Sequence, residues 1–82
     1  MIIPTFIPPF SRREREVLQL IFEGYTSQEI AEQLYISPQT VECHRKNMIS
    51  KAGSRNMFGV IRIAIEREMI TIKKGTWKEL SN

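Results

Sequence analysis

Two helical patterns separated by only three residues limit the fold of this chain more than any other feature. Residues 25–34 begin with a capping box, in which Thr26 precedes Glu29 by three positions, and residues 38–52 form a second, longer pattern. The connection, residues 35–37, is too short for anything but a tight turn. A short helix, a tight turn and a longer helix together predict a helix-turn-helix.

The longer helix should have one buried and one exposed face. Ser37 suits its N-cap and Pro38 suits its first turn, because the missing N–H of proline would have no partner there. At about 100° per residue, the inward face carries Val41, His44, Met48 and Ala52. The outward face carries Gln39, Glu42, Cys43, Lys46 and Ser50, flanked by Arg45 and Lys51. Most surface helices have one apolar and one polar face, so this division alone does not indicate a binding surface. The short helix that precedes it is the feature that favours a surface for a polar partner.

Positive charge is concentrated on this longer helix and its exit. Residues 35–56 hold four basic residues against Glu42 alone, whereas residues 1–34 hold three arginines against five glutamates. The four basic residues are Arg45, Lys46, Lys51 and Arg55. Phosphates of a nucleic acid would lie against such a surface, although a basic face that is merely solvated has the same composition.

Size and residue content argue against an enzyme. The 82 residues form one domain with a small core, which leaves little room for a catalytic cleft. Adjacent Cys43 and His44 point about 100° apart on a helix, and the chain has no other cysteine or histidine, so we expect no metal site and no cofactor. The single cysteine fits a reducing compartment. The apolar start, broken by prolines, does not resemble a signal peptide, and nothing calls for a membrane, so the expected location is the cytoplasm.

The first helix should begin at a capping box formed by Ser11 and Glu14 and end near Glu23, where Gly24 follows. Glu14 has two structural roles open to it. It can be an anion favoured by the helix dipole in the first turn, or one end of an ion pair with an arginine such as Arg55.

The fourth helix, capped by Asn56 and running from Met57 to about Glu68, is apolar on two sides and therefore needs two partners. One strip is expected to face the core and consists of Phe58, Ile61 and Ile65. The other strip is expected to join the subunits of a homodimer and consists of Met57, Val60 and Ala64. The alternative is that residues 1–10 or the tail cover this second strip.

Both ends of the chain are predicted to lie outside the helical domain of residues 11–70. Residues 1–10 contain three prolines, which bar a regular helix, and are expected to form a linker or arm. Residues 71–82 are expected to form a tail of unknown role, in which Trp77 is unexplained. The predicted architecture is an all-α, four-helix helix-turn-helix bundle with an irregular N-terminal arm and C-terminal tail.

Several motifs occur in order along the chain. They are Phe10-Ser-Arg-Arg-Glu-Arg-Glu-Val-Leu18, Gly24, Ser27-Gln-Glu-Ile-Ala31, Leu34-Tyr-Ile-Ser37, Thr40-Val41, His44 and Lys51-x-Gly-x-Arg55. Together they resemble the LuxR-type, or GerE-type, helix-turn-helix domain over about residues 10–70. The resemblance implies a bacterial transcription regulator, often with an N-terminal receiver or ligand-sensing domain. It also implies that the third helix enters the major groove of duplex DNA and that the fourth helix dimerises.

The resemblance further implies roles for individual residues. The residues expected to read base edges are Glu42, Cys43 and Lys46. The residues expected to contact phosphates are Thr40, Arg45 and Lys51, with Ser27 and Ser37 near helix starts. Position 42 is commonly basic in this family and position 43 is often valine. Glu42 would repel phosphate, so we expect it to accept a hydrogen bond from a cytosine amino group or to be held off the DNA by Lys46.

Two other functions remain open. The promoter-reading C-terminal region of a sigma factor has a similar helix-turn-helix, which makes RNA polymerase a further candidate partner, although the long apolar fourth helix argues against it. A protein-interaction module could keep the fold and lose the DNA contacts, and Glu42 is the residue that favours this alternative.

Overall fold

Four α-helices form the part of the chain that the computed structural model describes, residues 9–71. They are α1, Arg12–Phe22; α2, Ser27–Leu34; α3, Pro38–Ala52; and α4, Met57–Glu66. Residues 9–71 contain no strand, and the predicted all-α, four-helix architecture is confirmed. Most of the predicted arm, residues 1–8, and nearly all of the predicted tail, residues 72–82 with Trp77, lie outside the described residues.

Side chains at the helix starts satisfy backbone N–H groups that have no partner inside a helix. At α1, Ser11 Oγ accepts a hydrogen bond from the Glu14 N–H at 3.1 Å, and Glu14 Oε1 accepts one from the Ser11 N–H at 2.8 Å. Thr26 and Glu29 make the same reciprocal pair at α2, at 3.2 and 2.8 Å. Both predicted capping boxes are confirmed, which explains why α1 and α2 begin where the sequence indicates.

Residues in the left-handed backbone region follow the first three helices. Gly24 and Gly53 have φ angles of 99° and 65°, as their positions after α1 and α3 predict. The turn between α2 and α3 uses Tyr35 instead, with a φ of 58°, and the Ile36 N–H donates to the Ala31 carbonyl at 3.0 Å. A tyrosine in this conformation is strained, because its Cβ crowds the following carbonyl.

The third helix packs against all three of the others and supplies the centre of the core. Its Val41 and Met48 are fully buried, and Ala31 of α2, 3% exposed, allows the two helices to lie close together. The other buried apolar residues are Phe10, Val17, Leu18, Ile30, Met57, Val60 and Ala64. Because α3 is held on three sides, the direction of its remaining side is fixed by packing.

The prediction for the two strips of α4 is wrong except at Ile61, which is partly buried and packs against the core as expected. Met57, Val60 and Ala64 lie in the core of the protomer at 9%, 0% and 0% exposure, so they cannot form a contact between subunits. Phe58, expected in the core, is 82% exposed, and Ile65 is 50% exposed. Both strips are apolar, so hydrophobic periodicity could not rank them. The strip that packs against the rest of the core is the one formed by Met57, Val60 and Ala64.

The N-terminus of α1 is joined to the last turn of α3 by a buried carboxylate. Glu14 is 3% exposed, and Lys51 Nζ donates to its Oε1 at 2.8 Å. Burial alone would raise the pKa of Glu14, but the hydrogen bond and charge of Lys51, with the Ser11 N–H, lower it below its ordinary value. The predicted ion pair therefore forms with a lysine, whereas Arg55 is exposed.

Candidate nucleic-acid interface

The outer face of α3 is exposed as its periodicity predicts. Val41 and Met48 are 0% exposed, and His44 is partly buried at the edge of the core. The exposed residues of the outer face are Gln39, Glu42, Cys43, Lys46 and Ser50. The helix therefore presents a polar, partly basic surface on the side opposite the sealed one.

A shallow depression lies where the start of α2 meets this face of α3. Its lining residues are Ser27, Gln28, Pro38, Gln39, Glu42, Cys43 and Lys46. Glu42, Cys43 and Lys46, the three residues predicted to read bases, therefore lie together on one surface. The helix-turn-helix angle brings Ser27 of α2 to the same place, so the short helix contributes to the surface as well as bracing it.

Glu42 is held by residues other than the one predicted. Its Oε2 accepts a hydrogen bond from the Ser27 hydroxyl, and its Oε1 lies 3.7 Å from Arg45 Nε. No salt bridge joins Glu42 to Lys46 in the described part of the chain, so in the absence of DNA it is Ser27 and Arg45 that hold Glu42. Ser27 and Arg45, two of the residues predicted to contact phosphate, both face this carboxylate. Lys46 lies exposed on the same face.

The other predicted phosphate contacts lie at the two ends of α3. At the start, Ser37 Oγ accepts from the Thr40 N–H at 3.1 Å and lies 2.9 Å from Thr40 Oγ1. Both hydroxyls are on exposed residues at the N-terminus of α3, where the helix dipole favours an anion. Pro38 has no N–H, and the N–H of Thr40 is already bonded to Ser37. At the end, the Lys51 side chain is 35% exposed while its ammonium group holds Glu14.

Arg55, for which the family resemblance predicts no DNA contact, also lies on this surface. Arg55 lines a second depression between α3 and the start of α4, together with Arg45 and Lys46. Its side chain is exposed. The signal that could have found it is its place, four residues beyond Lys51, in the most basic segment of the sequence.

Two negative findings apply to residues 9–71. None of the four helices, which contain 8 to 15 residues, is long and apolar enough to cross a membrane. Within the same range, no three histidine, cysteine or acidic side chains come together in a way that could hold a metal ion.

A family model described as bacterial regulatory proteins, luxR family, matches residues 8–64 of the chain. The chain belongs to the luxR family. The predicted resemblance is thereby confirmed, and the chain is a helix-turn-helix domain of DNA-binding transcription regulation. This family is a class of regulators rather than of enzymes.

Individual relatives agree with this assignment to the luxR family. The chain is 37% identical over 60 residues to the oxygen regulatory protein NreC of Staphylococcus aureus, strains JH9 and JH1. That alignment covers 73% of this chain but only 28% of NreC. A solved structure of the transcription factor GerE matches with a TM-score of 0.74 at 32% identity, covering 77% of this chain and 94% of the GerE chain. The chain thus spans less than a third of the length of NreC.

Proposed function

We propose that this domain binds duplex DNA sequence-specifically, with the outer face of α3 in the major groove, as part of a bacterial transcription regulator. The observation that carries the proposal is the exposed polar face of α3 around Lys46, opposite a side sealed by Val41 and Met48. The major groove is about 12 Å wide and admits one α-helix. Because packing fixes which side of α3 points outward, the residues on that side are the ones we propose to face the groove.

The proposed roles divide along α3. Glu42, Cys43 and Lys46 lie at the middle of the exposed face and are proposed to address base edges. Phosphates are proposed to be held by Ser27, Ser37, Thr40, Arg45 and Lys51, joined by Arg55. Lys51 can keep one N–H on Glu14 and offer another to a phosphate, since an ammonium group has three donors.

We further propose that two copies bind together through α4. The apolar side chains that α4 leaves exposed in the monomer are Phe58 and Ile65, with Ile61 partly exposed between them. Phe58 and Ile65 therefore replace Met57, Val60 and Ala64, which lie in the core, as the proposed contact. A contact made by the same strip on both copies has two-fold symmetry, so the preferred DNA would have two related half-sites.

The test of groove binding replaces Lys46 by alanine. Loss of a base contact should weaken binding to the preferred duplex by ~1–3 kcal/mol and relax the preference at one base pair. Fluorescence anisotropy with a duplex selected from a random DNA pool measures the affinity. Arg13→Ala is the control, because it removes a positive charge from the exposed pair of Arg13 with Glu16 on α1.

Two results would count against the proposal. If Lys46→Ala binds the selected duplex as tightly as the parent, the outer face of α3 does not read bases. If the parent shows no salt-dependent binding to any duplex, a protein-interaction module becomes the better reading, and Glu42 on the exposed face favours that alternative. Binding to core RNA polymerase would instead favour a promoter-reading domain of the sigma-factor kind.

A further inference from the structure

Glu42 contacts Ser27 and Arg45, two of the residues proposed to bind DNA phosphates. Its side chain is half-exposed, yet it accepts a hydrogen bond from Ser27 and lies 3.7 Å from Arg45 Nε. We propose that Glu42 competes with DNA phosphates for Ser27 and Arg45, and thereby makes binding depend on base sequence. This inference rests on the proposed function, because it concerns the same face of α3.

The competition follows from the chemistry of the two partners. A hydroxyl has one O–H, so Ser27 can donate to Glu42 or to a phosphate but not fully to both. Arg45 has several N–H groups, but a guanidinium that neutralises a carboxylate attracts a phosphate less strongly. The contact between Arg45 and Glu42 is long and partly exposed, with side chains 29% and 52% exposed, so a phosphate can displace it.

The balance changes with the base sequence that α3 meets. On an arbitrary duplex, Glu42 either keeps its two partners and repels phosphates, or releases them and is left without a donor. Where the groove presents a cytosine amino group, that group can donate to Glu42 in their place. Ser27 and Arg45 are then free to hold phosphate. Glu42 therefore lowers affinity for arbitrary DNA more than for a site with a suitably placed cytosine.

The first experiment compares Glu42→Gln with the parent on a random-sequence duplex and on a duplex selected by the parent. Glutamine keeps the shape of the side chain but removes its charge. Affinity for the random duplex should rise about three- to tenfold at low salt, and the salt dependence should steepen by about one phosphate contact. Discrimination between the selected duplex and one with the cytosine replaced should fall. Circular dichroism verifies the fold.

The matched control is Glu16→Gln. Glu16 pairs with Arg13 at spacing i, i+3, and the side chains of this pair are each 44% exposed. Glu42 pairs with Arg45 at the same spacing. The same charge is removed from α1, away from the face of α3, so affinity for random duplex should change less than about twofold. If Glu42→Gln tightens random binding no more than Glu16→Gln does, the proposal is overturned.

A second variant separates competition from simple charge repulsion. In an Arg45→Gln background, Glu42 no longer competes with phosphates for Arg45. The gain in affinity for random duplex from Glu42→Gln should therefore shrink by at least half. Repulsion between Glu42 and phosphates would instead give the same gain with or without Arg45, and that result contradicts the inference while leaving the proposed function intact. Failure of the parent to bind any duplex would overturn the proposed function and this inference with it.

Discussion

Glu14 joins two segments that are far apart in sequence, the start of α1 and the end of α3. Its carboxylate accepts from the Ser11 N–H and from Lys51 Nζ, each at 2.8 Å. A carboxylate removed from water in this way remains charged only because both donors favour the charged form. The same residue thus caps one helix and ties down the last turn of the helix proposed to enter the groove.

The first prediction concerns the pH dependence of stability. The folded-state pKa of Glu14 is lowered from 4.5, so the stability it contributes is present above that value and is lost as the pH falls below it through the folded-state pKa. At pH 7, Glu14→Gln should lower the free energy of unfolding by about 1–2 kcal/mol, a figure reduced because Lys51 is partly exposed. The difference from the parent should narrow in acid. Urea unfolding at several pH values measures it.

Glu16→Gln is the control for this prediction, since Glu16 lies on the same helix in an exposed pair with Arg13. Its effect at pH 7 should stay within about 0.5 kcal/mol. The free energy of unfolding of Glu14→Gln could instead stay below that of the parent by the same amount from pH 7 down to acid. That result would mean that the charge of Glu14 contributes nothing and that its packing alone stabilises the fold.

Tyr35 carries backbone strain with little packing to offset it. It adopts the left-handed conformation, with a φ of 58°, and its side chain is 95% exposed. Tyr35→Gly should raise the free energy of unfolding by about 0.5–1 kcal/mol, because glycine adopts this conformation without a Cβ clash. Tyr35→Ala retains the Cβ and should give no such gain in thermal or urea unfolding. Equal stability of the two variants would show that the strain is not the cause.

At the scale of the helices, the sequence predicts where a helix begins and which of a polar and an apolar face is buried. It does not predict which of two apolar faces is buried. The capping boxes at Ser11 and Thr26 depend on residues three positions apart, so the sequence indicates them directly. The sealed and open sides of α3 were also predictable, because one is apolar and the other polar. Helix α4 has two apolar strips, and only packing against the rest of the core selects between Val60 and Phe58.

The candidate site follows the same division. The exposure of Lys46 follows from the periodicity of α3, whereas the partners of Glu42 do not, since Ser27 reaches it from a different helix. For Glu14 the sequence leaves open a first-turn anion or an ion pair with an arginine such as Arg55, whereas the partner in the structure is Lys51. Contacts between side chains distant in sequence depend on the crossing angle of helices, which residue spacing along one helix does not contain.

A prediction about α4 tests the corrected strip. Phe58→Glu should give a folded monomer, because Phe58 is 82% exposed in the protomer and a charge there opposes an apolar contact between copies. Val60→Glu should instead unfold the chain, since Val60 is 0% exposed and a buried unpaired charge costs several kcal/mol. Sedimentation equilibrium and circular dichroism distinguish the two. A dimer that persists in Phe58→Glu places the contact on another surface.

At the scale of the whole molecule, the other helices serve to fix the direction of α3. Helices α1, α2 and α4 all pack against it, and Lys51 ties its last turn to Glu14. The alignment with NreC covers only 28% of the length of that protein. The contribution that we propose for this domain is a DNA-reading surface on α3 and, through α4, a second copy of that surface.

In the proposed dimer, the two copies of α3 are related by a two-fold axis, so both can bind one duplex only if its half-sites have a matching spacing. Half-sites one helical turn apart present their major grooves to the same side of the duplex, so both copies of α3 can bind at once. Inserting about five base pairs between the half-sites turns one groove to the opposite side and should reduce affinity to that of a single half-site. Titrations of duplexes with increasing spacers measure this. In Phe58→Glu the affinity should not depend on the spacer, because separate copies bind each half-site independently. A parent protein equally indifferent to spacing would show that it binds DNA as a monomer.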